Sequence, residues 1–200
     1  GRHRYREAAA AYAQALERIP PEDTKARVET LLRQAIAYLN AGQHHDTRTS
    51  AEQAIAEGAS GRLLISAHNL AGVAASDLCQ FDAAGDHHRR AYELAVEIGD
   101  DAKVSECLGG LAALGRLKGD LTRAEELALE AESLCPHSAR MAVLVHALVL
   151  RSQGRTEAAL ERLEQACRVG AFESSAAERR VRAAYKKSMA IYRAELGRFE

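Results

Sequence analysis

Two hundred residues, 47% hydrophobic and 28% charged with a formal net charge of −1, suit one or two folded domains and exclude a disordered chain. That balance also excludes a global field drawing in nucleic acid or an anionic membrane. The most apolar stretch, 141–150, contains His146 and is far shorter than a membrane span of roughly 20 residues.

Aromatic residues make up 4% of the chain, tryptophan is absent and alanine recurs throughout, so the composition predicts an all-α class with closely packed helices. The first residues run straight into a helical pattern with no signal peptide ahead of it. Pro20 and Pro21 mark the end of that first stretch, and no proline follows until Pro136, which leaves the interval free for helices. Glycine and polar marks at 41–43, 58–61, 99–101, 119–120, 153–155 and Gly170 cut the interval into hairpin-length pieces. Within them apolar residues recur at helical spacing; in 121–134, Ala124, Leu127, Ala128, Ala131 and Leu134 share one stripe. Cys79, Cys107, Cys135 and Cys167 form no CxxC pair and read as reduced packing residues, with no metal or cofactor implied and a cytoplasmic setting expected.

A repeat runs through these pieces. Taking Gly119 as anchor, Ala112 lies seven residues before it, Ala124 and Ala131 lie five and twelve after it, and Pro136 seventeen after it. The same offsets select Ala35, Thr47 and Ala54 around Gly42; Gly72, Ala84 and Ala91 around Cys79; and Ala147, Ala159 and Ala166 around Gly154. Partial matches stand at His3, with Ala8, Ala15 and Pro20, and at Gly197, with Ala190 and Phe199. This pattern resembles the tetratricopeptide repeat, in which small residues let two helices cross closely; the anchors here lie 35 to 43 residues apart, wider than that repeat's 34. The expected organisation is a single array over 1–200: a second helix at 1–21, hairpins at 24–60, 62–99, 101–138 and 139–171, and a first helix entering a second at 174–200. It looks like a segment of a longer array.

The resemblance implies a right-handed superhelical solenoid of antiparallel helix-turn-helix hairpins whose first helices line a concave groove. Such a surface suits recognition and offers no enclosed pocket for catalysis, so the expected function is a protein–protein interaction scaffold, not an enzyme. The partner would be a protein or peptide, or neighbouring domains of the same chain. Groove positions carried over from the family include Asn40, Asn69, Asp77, Arg116, Arg151 and Lys187. An asparagine amide bonds both ways to a peptide backbone, and arginine holds a carboxylate with two parallel bonds. The carboxylate clamp of some chaperone-binding members has no counterpart, because its sites carry Leu32, Ile36, Leu70, Glu106 and Gly110. The stretch 91–134 looks like arrays of large bacterial regulators, which implies as an alternative a sensor module of a transcriptional activator or signalling NTPase. A further alternative is a noncatalytic arm of a larger protease or kinase.

Other features read as structural. Neighbouring histidines, His44-His45 and His87-His88, point about 100° apart on a helix and do not share one ion; His88 falls at a packing position. The glycines of 109–115 lack a GK[ST] ending and suit close helix contact, with Gly115 a tolerated weak point. Arg179, Arg180, Arg182, Lys186 and Lys187 form a basic run beside Glu173 and Glu178, with Tyr185 as its one interleaved aromatic, which reads as a solvated face rather than a nucleic-acid patch. No nucleophile-elbow GxSxG occurs.

Overall fold

The computed structural model describes residues 2–135, 140–169 and 176–197; Pro136, Ser138, Gly170, Glu173 and Phe199 lie outside them, as do the side chains of Glu178, Arg179 and Arg180. Among the described residues there are ten α-helices and no strand: α1 Arg2–Arg18, α2 Thr24–Ala41, α3 His44–Ala56, α4 Gly61–Asp77, α5 Phe81–Glu97, α6 Asp101–Lys118, α7 Leu121–Leu134, α8 Arg140–Ser152, α9 Thr156–Val169 and α10 Ala176–Glu195. The protein is all-helical. No described helix is long and apolar enough to cross a membrane.

The repeat anchors have a local physical cause. Gly42 ends α2 with φ +77°, its N–H bonded to Leu39 O at 3.0 Å and the next N–H, of Gln43, bonded to Tyr38 O at 2.9 Å. These two bonds satisfy carbonyls that the helix end leaves orphaned and turn the chain toward α3. Gly119 (φ +86°) and Gly154 (φ +80°) repeat the device: Gly119 N–H bonds Arg116 O and Asp120 N–H bonds Gly115 O, while Gly154 and Arg155 bond Arg151 O and Leu150 O. Cys79 occupies the same position at φ +58° without glycine's freedom, a conformation that costs an L-residue roughly 1–2 kcal/mol. It is also exposed, which corrects its reading as a packing residue; Cys107 is buried, and none of the four cysteines forms a disulfide among the described residues.

The chain divides into two compact units, Gly1–Lys103 and Val104–Glu200, with the boundary inside α6. In unit 1 each helix from α1 to α5 packs on its successor, and α2 also touches α4. Asp23 starts α2 by accepting the Ala26 N–H at 3.1 Å. The core gathers Val28, Leu31, Leu32, Ala54 and Ala67, with Ala35, Ala51 and Ala71 beside them. On α5 the buried positions are Ala84, His88, Ala91 and Ala95, one stripe of small residues broken by a histidine. Thr47, standing where the repeat has alanine, is fully buried and gives its hydroxyl proton to Gln43 O at 2.9 Å, so the extra polar group is satisfied.

In unit 2, α7, α8, α9 and α10 pack in succession and α8 also touches α10. Ala112 of α6 shares a core with Ala124, Ala128, Val145 and Val149, which brings α6 against α7 and α8. A second core holds Leu144, Ala147, Leu163, Tyr185 and Tyr192. Gly115, expected to be merely tolerated, is a close-contact glycine: a Cβ there would stand 3.3 Å from Ala124 Cβ. At Gly109, where contact was expected, a Cβ meets no described atom within 4 Å.

Candidate functional site

The six positions expected to line a groove fall on α2, α4, α6, α8 and α10, and their surroundings differ. In unit 1, Asn40 at the end of α2 donates its amide to Ile36 O at 2.6 Å. Asp77, in the last turn of α4, is exposed and lies 3.0 Å from His44 Nδ1 at the start of α3. Asn69 is 6% exposed and stands with Oδ1 3.4 Å from His88 Nδ1, so its polar head faces the hairpin interior.

Unit 2 brings charge to one place. Arg151, at the end of α8, holds Glu195 of α10 in two-pronged fashion, Nε lying 3.0 and 3.1 Å from the two carboxylate oxygens and the terminal nitrogen closing on one of them. Its guanidinium carbon sits 5.7 Å from the centroid of the Tyr192 ring, within range of a cation–π attraction. Arg116, near the end of α6, has its Nε buried without a hydrogen-bond partner among the described residues, and its charge is felt at Tyr192. Burial pushes the Tyr192 phenol up, opposed by Ser188 and by the two arginines. The bond from Arg151 holds the Glu195 carboxyl below its ordinary range. Lys187 is exposed on α10.

This arrangement attracts a carboxylate. A planar guanidinium with an aromatic ring beneath it binds planar anions in a fixed orientation, and a second arginine nearby, its Nε without a hydrogen-bond partner among the described residues, adds charge. The pair between Arg151 and Glu195 is about two-fifths exposed on both sides, and pairs so placed contribute little to stability.

Several residues outside the six matter here. Tyr192 and Glu195 complete the unit 2 cluster, and Glu195 lies 44 residues from Arg151, a separation at which helical spacing carries no information. His68 on α4, which belongs to no motif of the sequence, meets His87 of α5. His88 is 1% exposed and is a packing residue, whereas His45 is exposed. Tyr185 is fully buried in the core of unit 2, so it offers no ring for base stacking beside Lys186 and Lys187. Among the described residues no group of three or more metal-ligating side chains converges.

No protein-family model and no curated protein matches the chain. Among solved structures, the fold is similar to that of BtubC (BKLC) from P. vanneervenii, with a TM-score of 0.66 and 15% identity over all of this chain and 94% of that one. At that identity the likeness is one of fold.

Proposed function

We propose that this chain is a protein-interaction scaffold of tetratricopeptide-type hairpins stacked as a right-handed superhelical solenoid, and that it grips an acidic protein segment through Arg116 and Arg151. The observation that carries the reading is the cluster in unit 2. Three first helices, α6, α8 and α10, contribute Arg116, Arg151 and the Tyr192–Glu195 pair to one electrostatic neighbourhood. Glu195 occupies Arg151 as a partner's carboxylate would. Asn40, Asp77 and Asn69 are engaged within unit 1, which shifts the weight of recognition to Arg116, Arg151 and Lys187. The left-handed anchors at regular offsets, the contacts α2–α4 and α8–α10, and the likeness to BtubC support the architecture.

The test is selection of peptides by display on the full chain, followed by fluorescence anisotropy at two ionic strengths. Acid-rich peptides are expected, with affinity falling as salt rises and dropping about tenfold or more in Arg116→Ala/Arg151→Ala. Neutral peptides whose affinity ignores both substitutions would remove this site from the scaffold. Failure to select any peptide would count against the scaffold reading itself.

A further inference from the structure

We infer that unit 1 carries an acid-sensitive joint between α4 and α5, in which protonation of the His68–His87 pair and of His88 parts the two helices and loosens the face that bears Asn69 and Asp77. The joint is built from two cross-helix contacts of equal sequence separation, 19 residues: His68 to His87, with 3.1 Å between their Nδ1 atoms, and Asn69 to His88 at 3.4 Å.

The first contact accommodates a single proton on its line. One Nδ1 must donate and the other accept, because two lone pairs or two N–H groups at 3.1 Å repel. The ring centroids lie 5.3 Å apart, so the imidazoles meet nearly end on, as a hydrogen bond requires. His87 Nε2 lies 3.9 Å from Glu52 Oε1 on α3, which favours a proton on that nitrogen. His87 Nδ1 is then the acceptor and His68 Nδ1–H the donor. Charging both rings sets N–H against N–H and breaks the bridge.

The second contact is more deeply buried. The His88 ring lies against Gly72 of α4 so closely that a Cβ there would come within 2.8 Å of its Cε1. Facing Asn69 and Gly72, the ring has an amide and a bare backbone for company, and a buried charge at such a place is costly.

The surrounding charges do not rescue either cation. On α3 stand Glu52 and Arg48, and on α5 Asp86; these act on His87. On α5, Arg90 and His87 face His68 and oppose its protonation, and His87 opposes that of His88. Neither α4 itself nor α2, which also packs on it, brings a charged side chain that acts on either ring among the described residues. Burial first, then these like charges, pushes His68 and His88 down to about 4. Both rings are thus neutral in the fold and chargeable in the opened chain. With the folded value depressed, stability is whole above the ordinary value of about 6.5 and is lost as pH falls toward about 4.

The experiment follows the full chain at about pH 7.5 and about pH 5 by amide hydrogen exchange and by the imidazole Cε1–H resonances. At the lower pH, protection in α4 and α5 is expected to fall about tenfold for each histidine, while α8 and α9 hold theirs. His68→Gln, at a half-buried site, removes part of the loss, and His88→Gln removes more. If His88→Gln does not fold, the resonances decide. His68 and His88 rings that begin to titrate only below about pH 5 support the joint, and rings that titrate near 6.5 overturn it. Equal acid loss in all helices, or a loss unchanged in His68→Gln with normal titration, also overturns it.

Discussion

Both units bury a histidine where two consecutive helices pack, and they keep it by opposite means. In unit 1, His88 lies against Asn69 and Gly72 with no carboxylate at its ring among the described residues, and it is held neutral. In unit 2, His146 of α8 is 6% exposed and places Nδ1 2.9 Å from Glu132 Oε1 on α7, while Arg162 of α9 closes on the other oxygen and Glu125 stands 4.0 Å from Nε2. Burial alone raises Glu132, yet the hydrogen bonds from His146 and Arg162 outweigh it and hold the carboxyl below its ordinary range. One unit excludes charge and the other balances it. One helical architecture thus tolerates a buried imidazole through either route, and the two routes answer acid differently.

Removing the balancing charge has the largest expected effect. Glu132→Ala leaves Arg162 and His146 without their carboxylate and destabilises unit 2 by about 3–5 kcal/mol, read as loss of exchange protection in α7 to α9 with unit 1 unchanged. Acid comes next and separates the units. Charging His88 costs unit 1 on the order of 3 kcal/mol at most as pH falls from about 6.5 to about 4. Glu132 has a depressed folded value, so its contribution persists above the ordinary carboxyl range and is lost only as pH falls below it. A denaturant series near pH 5 therefore shows unit 1 melting first; simultaneous melting breaks the contrast.

Gly72→Ala is a smaller perturbation of the same joint. The added methyl strikes the buried His88 ring and costs about 1–3 kcal/mol; unit 1 melts at lower denaturant at neutral pH. Smallest and of opposite sign, Cys79→Gly relieves the left-handed strain at the α4–α5 turn and stabilises unit 1 by about 1 kcal/mol. A substitution without effect would mean that the turn itself does not limit unit 1.

The residues that could be read in advance are those whose task is local. Helix class, the marks that end helices and the small residues at fixed offsets follow from φ preference, helical period and side-chain size, properties each segment carries by itself. Thus Gly42, Gly119 and Gly154 turn out left-handed, and Ala35, Ala54, Ala112, Ala131 and Ala147 are buried. Rotation of one helix against the next is another matter, because it depends on how all the packed side chains settle together. That rotation put Gly115 rather than Gly109 against a described neighbour and turned Asn69 inward to His88. It also set His68 on His87 and drew Glu195 to Arg151. The sequence by itself determined the helices, their ends and the small-residue stripes, since backbone hydrogen bonding and sterics act within a few residues. Only the tertiary structure decided which polar groups meet, since such pairs lie 14 to 44 residues apart and exist only when packing fixes the facing sides.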